Sequence, residues 1–258
     1  GRAVEADMRH PVRHAFMATL PISIMLLASL GISLLWHMHP HLDLALTVFW
    51  LIGSLLEVAT TVWVMSRWLQ PNGLQWATFT PVFFIPIVGN VLAPLGGVPV
   101  GMETWAAAQL GFGLLMWPVL QTLLIVRLVQ AGPLPERMAP TLFITLVPPS
   151  VGALSLLQLG APLLLVWALW GIGAVLLAWV LTQVRTMMSQ PFGLPHWGAS
   201  FPLAAFTALS LTLSQNMGGR WLEVPALLLL ALTTLLIVKL TLNTWRGLHL
   251  GHLLVPEK

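Results

Sequence analysis

The sequence contains no cysteine and no tyrosine. The first absence excludes disulfides, thiolate catalysis and thiolate metal sites. The second leaves tryptophan, at 13 residues, as the interfacial aromatic for a membrane–water boundary. Charge is also scarce: 7% of residues are Asp, Glu, Lys or Arg, against about 25% in a typical soluble domain. So few charges cannot cover a water-facing surface. The motifs HExxH, GxSxG and GxxxxGK[ST] are missing as well, so zinc hydrolysis, nucleophile-elbow chemistry and P-loop phosphate binding are not expected. The chain does not read as an enzyme.

What is present is apolar. Hydrophobic residues make up 57% of the 258 positions, and the mean hydropathy is +0.88. An all-α integral membrane protein follows, because backbone in lipid must satisfy its own hydrogen bonds. The opening GRAVEADMRHPVRH has charges and no apolar core, so it is not a signal peptide. It also has no initiating Met, which fits a chain beginning partway through a longer gene product.

A span takes about 20 apolar residues. After an N-terminal tail, 1–12, eight segments qualify within one transmembrane domain: 13–36, 44–68, 78–95, 103–130, 140–158, 162–186, 199–216 and 222–246. Turn residues separate them, as in HPHLD (39–43), QPNG (70–73), AGPLPERMAP (131–140) and SQPFGLPHWG (189–198). With eight spans, both ends lie on one side. That side receives Arg2, Arg9, Arg13, Arg67, Arg127, Arg137, Arg185, Arg246 and Lys258, and the other only Arg220. The bias places both ends in the cytoplasm.

The first, third, fifth and seventh segments are punctuated by proline: Pro21, then Pro81 and Pro86, then Pro148 and Pro149, then Pro202. The others are smoother, Pro118 and Pro225 excepted. This alternation predicts four parallel helical hairpins, related by an axis along the membrane normal. Broken backbone at membrane depth is tolerated when buried in protein or lining a watery cavity. The broken helices are therefore expected inside, around a solute path, with the smooth ones against lipid. They also hold Ser23, Thr78, Thr80, Thr145, Ser150, Ser200 and Thr207, and Phe16, Phe83, Phe84, Phe143 and Phe201 lie near the breaks. No acidic residue falls on these four segments within the membrane, which favours an anionic solute.

HPVRHAFMATLP (10–21), TPVFFIPIVGNVLAPLGG (80–97), PTLFITLVPPSVGALS (140–155) and ASFPLAAFTALS (199–210) together resemble the tellurite-resistance/dicarboxylate transporter (TDT) family. That family includes bacterial TehA and the plant slow anion channel. The resemblance implies ten helices in five hairpins, with proline-kinked inner helices around a central anion pore and assembly as a homotrimer. Eight segments here imply that the first hairpin is missing. It further implies a pore gate at Phe201, with Phe16, Pro21, Pro81, Phe83, Pro86, Phe143, Pro148 and Pro202 as pore-lining candidates. The implied solutes are chloride, nitrate, sulfite, tellurite or C4-dicarboxylates. Expected partners are such anions, membrane lipids and further copies of the chain, with no cofactor and no nucleic acid.

Two ionisable residues fall inside segments. Glu57, in LIGSLLEVATTVW, is a candidate by its cost in lipid, either as a proton-coupled carrier site or in a subunit contact or a hydrogen bond to Thr60 or Thr61. Lys239 sits near a segment end, where snorkelling serves it. His37, His39 and His41, with Asp43, make a solvated turn the leading reading over metal ligation. His10, His14, His249 and His252 fit the interface, and Glu103 and Glu223 fit helix starts.

Overall fold

A computed structural model describes residues 13–35, 38, 40–70, 76–216 and 220–251. The tail 1–12, His37, His39 and His252 lie outside the described residues. No strand occurs among the described residues. The α-helices are α1 (Thr19–Leu35), α2 (Pro40–Trp68), α3 (Ile85–Val91), α4 (Ala93–Gly97), α5 (Glu103–Ala131), α6 (Val147–Gln158), α7 (Leu163–Leu181), α8 (Val184–Ser189), α9 (Ser200–Asn216) and α10 (Arg220–His249).

Six stretches are long and apolar enough to cross a membrane: His14–Leu35, His41–Trp68, Glu103–Ala131, Glu136–Gln158, Leu163–Leu181 and Trp221–His249. The remaining expected segments are the shorter apolar stretch Pro81–Gly97 and α9. The protein is an all-helical integral membrane protein. The HPHLD stretch is not a loop throughout, because α2 already begins at Pro40. Proline suits the first helical position, where its missing N–H has no partner to lose.

The broken segments share one construction. Each is a 3₁₀ segment running directly into an α-helix: Arg13–Ala18 into α1, Pro81–Phe84 into α3, Glu136–Leu146 into α6 and Leu194–Ala199 into α9. In every case proline occupies the second or third residue of the α-helix: Pro21, Pro86, Pro148 with Pro149, and Pro202. A proline there cannot extend the i→i−4 ladder backwards, so the ladder restarts at the join. Among the described residues, no such lead-in precedes the smooth segments α2, α5, α7 and α10.

Burial separates the two kinds in part. Of the apolar window in Glu136–Gln158, 83% is buried, against 17–22% in the windows of α2, α5, α7 and α10. Pro81–Gly97 is buried almost throughout. His14–Leu35 is less covered than the other broken segments, with 28% of its window buried.

The chain divides into two compact units: residues 1–132 with 151–166, and residues 133–150 with 167–258. In the first, α1 and α2 form a hairpin whose glycines admit the other helix. A Cβ on Gly31 would lie 2.7 Å from Leu46, and one on Gly53 would lie 2.8 Å from Ile24. Small residues let membrane helices approach this closely. In the second, α9 packs on α10, and Glu136–Leu146 packs on Leu194–Ala199. Gly173 of α7 receives the Phe206 ring, and Trp170 stacks on Phe206 while its indole N–H donates to Ser210 Oγ at 2.9 Å.

Candidate functional site

The stretch Thr80–Gly97 runs through three short helices, and proline opens each one. Pro81 starts its 3₁₀ turn, Pro86 is second in α3, and Pro94 is second in α4. Thr80 is extended (φ −137°, ψ 164°), the conformation that a following proline favours. The Ile85 N–H donates to Val82 O, which would have faced the absent donor of Pro86. Further along, Val91 O accepts from Ser155 Oγ at 2.7 Å. Three prolines are thus accommodated without stranding these carbonyls.

Pro86 O is the best-served acceptor of the break. Thr61 Oγ1 donates to it at 2.7 Å and Asn90 Nδ2 at 2.9 Å, and Asn90 Nδ2 also lies 2.8 Å from Thr61 Oγ1. All three residues are buried. The glycines explain the rest of the composition. Gly89 receives the Glu57 carboxyl, Gly96 receives Ser29 and the Trp50 indole, and Gly97 receives Trp50 and Ala106. Gly113 of α5 closes the other side, where a Cβ would lie 2.5 Å from Val91 and 3.2 Å from Ile87 O.

Glu57 is wholly buried on α2. Thr61 Oγ1 lies 3.5 Å from its Oε1, but Thr61 has one proton and gives it to Pro86 O at 2.7 Å. Oε2 has no partner. The carboxyl is therefore held chiefly by packing on Gly89, a contact that no local sequence signal announced. Lys239 is exposed on α10.

The aromatic candidates occupy different settings. Phe83 is fully buried, stacked on Phe79 at 5.2 Å between centroids, with His14 and Trp68 edge-on. His14, expected at the interface, is instead buried between Phe83 and Trp63. Phe143 is buried and Phe16 is exposed. Phe201 is half-buried at the second position of α9, directly before the buried Pro202. Its lead-in is anchored: Ser200 Oγ donates to Trp197 O at 2.8 Å, and the Trp197 indole donates to Thr244 Oγ1 at 2.9 Å.

The hydroxyls on broken helices mostly face their own backbone. Ser23 donates to Thr19 O, Thr145 to Leu142 O and Ser150 to Leu146 O, each at 2.7–2.8 Å. Thr207 pairs with Thr233 at 3.1 Å. Thr80 Oγ1 is buried without a partner. No cluster of His, Asp or Glu able to hold a metal occurs among the described residues. Glu103 and Glu223 fall in the first turns of α5 and α10, and Arg67 and Arg246 in last turns, each with the sign that suits the helix dipole, and His249 lies in the last turn of α10.

Sequence comparison adds a family. The chain is 25% identical to an uncharacterized transporter of Methanocaldococcus jannaschii, over 80% of this chain and 64% of the relative. It is 24% identical to the S-type anion channel SLAH2 of Arabidopsis thaliana, over 92% of this chain and 45% of the relative. It is 26% identical to a tellurite resistance protein TehA homolog of Haemophilus influenzae, over 78% of this chain and 60% of the relative. The chain thus spans less than two thirds of the length of these relatives. The family profile described as voltage-dependent anion channel matches residues 1–245, nearly the whole sequence, and this chain belongs to that family.

Proposed function

We propose that the full protein containing this chain moves small anions across a membrane, along its proline-broken helices. Membership of the voltage-dependent anion channel family supports this reading. The structural observation that carries it is the fourfold 3₁₀-to-α join, which recurs with proline at the second or third helical position. Proline at each join removes a backbone donor, and the acceptors so freed must be met inside protein or by solute. Among the described residues of these broken segments the one carboxylate is Glu136, at the very start of its 3₁₀ lead-in.

Phe201 is the gate in this proposal. It stands at a helix start, half-buried, on an anchored lead-in, so its ring can move without loss of the fold. The candidate solutes are chloride, nitrate, sulfite, tellurite and C4-dicarboxylates. Assembly as a homotrimer in a bacterial inner membrane, with both chain ends cytoplasmic, belongs to the same proposal.

The test uses full-length protein in liposomes, with chloride and nitrate efflux as the readout. Phe201→Ala raises efflux severalfold if the ring obstructs the path. Unchanged efflux from a variant with an unchanged melting temperature removes Phe201 from the gate. Absence of anion efflux from both proteins, alongside normal reconstitution, overturns the anion reading.

A further inference from the structure

The join that carries Phe201 is not held by its backbone alone. Pro202 has no N–H, so Gly198 O, four residues back, loses its α-helical donor. The ladder that would fix Leu194–Ala199 to α9 is thus interrupted beside Phe201. Trp197 takes over at both of its ends. Its carbonyl accepts the backbone N–H of Ser200 and, at 2.8 Å, the Ser200 hydroxyl. Its indole N–H reaches out of the segment, to Thr244 Oγ1 of α10 at 2.9 Å. Thr244 gives its own proton to Leu240 O at 2.8 Å, so its oxygen is left to accept.

A second tie joins the same two helices further along. Thr207 of α9 and Thr233 of α10 are both buried and pair at 3.1 Å. Thr207 stands about 9 Å beyond Phe201 at helical rise. The proline join and Phe201 therefore lie between two tied points on one partner helix, which packs along α9. One tie holds the body of α9. The other, through Trp197, holds the lead-in.

We infer that Trp197 is a positioning residue, whose bond to Thr244 sets where the Phe201 ring stands and so how far the closed path leaks. This rests on the reading of Phe201 as the gate. Trp197 acts through Phe201 and touches no anion. With the bond gone, the lead-in is held to α9 by Ser200 and by packing, across a join that the backbone ladder does not bridge at Gly198. The ring then leaves its seat more often. A merely structural bond would lower stability, and any effect on flux would be indifferent to the presence of the Phe201 ring.

The test uses full-length protein in liposomes, with chloride efflux and the melting temperature read on each variant. Trp197→Phe keeps an aromatic ring and removes the donor. Thr244→Val keeps the shape and removes the acceptor. Each raises efflux roughly threefold to tenfold, the worth of about one neutral hydrogen bond. The two together raise it no further, since they break one bond. Thr244→Ser keeps the oxygen and restores the slow rate. In a Phe201→Ala background neither change has an effect, because the ring they position is gone. Where Trp197→Phe melts early, the Thr244→Val and Thr244→Ser pair reads the same bond from the α10 side. Efflux raised by the same factor in the Phe201→Ala background, additive effects of the two changes, or both single variants at the parent rate each overturn the inference. Phe201→Ala without effect on efflux removes the gate, and the positioning role with it. Phe201→Ala raising efflux while Trp197→Phe and Thr244→Val do not removes the positioning role alone.

Discussion

The carboxyl of Glu57 rests on the backbone of Gly89, so closely that a Cβ at Gly89 would stand 2.0 Å from Oε1 and 2.8 Å from Cγ. Glu57 is fully buried, so its carboxyl can yield to an added methyl only by displacing neighbours. Gly89→Ala is expected to cost about 1–3 kcal/mol, the usual penalty for overpacking. The sign reverses in the Glu57→Ala background. There the methyl enters vacated space, and alanine is favoured over glycine in a helix by about 0.5–1 kcal/mol. Unfolding of the four proteins in detergent measures the coupling. Additive effects would show that Glu57 does not occupy the Gly89 surface.

The acceptor at Pro86 has two side-chain donors, Thr61 and Asn90. Either alone still meets one lone pair of the carbonyl. Thr61→Val and Asn90→Leu are each expected to cost roughly 0.6 kcal/mol, typical for a hydrogen bond between membrane helices. The double variant costs more than the sum, because Pro86 O then loses both. A double-mutant cycle on thermal stability reads this directly. A sum that is strictly additive means that the two donors act on separate acceptors.

Much of this was legible in the sequence, for a physical reason. Proline has one effect on a helix ladder wherever it stands, so Pro21, Pro86, Pro148 and Pro202 marked the joins, and apolar length marked six long helices. The 3₁₀ phase before each join was not legible, since it depends on which carbonyl takes over when a donor is missing, as Val82 O does with Ile85. Partner choice was hidden too. Thr61 was readable as a neighbour of Glu57 at i+4, yet its proton goes to Pro86, 25 residues away. Asn90 carried a signal that could have been used: it is the only side-chain amide in the apolar run Thr80–Gly97, and such a group in lipid must find partners. Gln109 on α5 carried the same signal. His14 looked interfacial from its charged flank, and only the closing of Trp63 and Phe83 around it makes it a core residue.

Phe83 and Phe201 both stand at breaks, and their burial predicts opposite responses to truncation. Phe83 is enclosed by Phe79, His14 and Trp68. Phe83→Ala is expected to cost about 3–5 kcal/mol and to lower the melting temperature sharply. Phe201 keeps part of its surface free, so Phe201→Ala costs a fraction of that. Melting curves of the two variants in one detergent decide the point. Equal destabilisation would place Phe201 in a packed core and make any change in its anion flux a folding effect.

Two glycines in the α5 sequence GFG separate seating from mere tolerance. A Cβ on Gly111 meets nothing within 4 Å, whereas one on Gly113 meets Val91 Cγ2 at 2.5 Å and the backbone of Ile87 and Val91 at 3.2 Å. Valine can rotate, but the α3 backbone is fixed by Pro86, Asn90 and the Ser155 contact to Val91 O. Gly111→Ala is therefore expected to be neutral or to stabilise by up to about 1 kcal/mol through helix propensity. Gly113→Ala should destabilise by about 1–3 kcal/mol, because α5 must lift away from the broken segment. Thermal unfolding of the two single variants, each one methyl larger than the parent, compares them on equal terms. If Gly113→Ala proves as harmless as Gly111→Ala, α5 does not press on α3, and the account of why the break needs glycine partners fails with it.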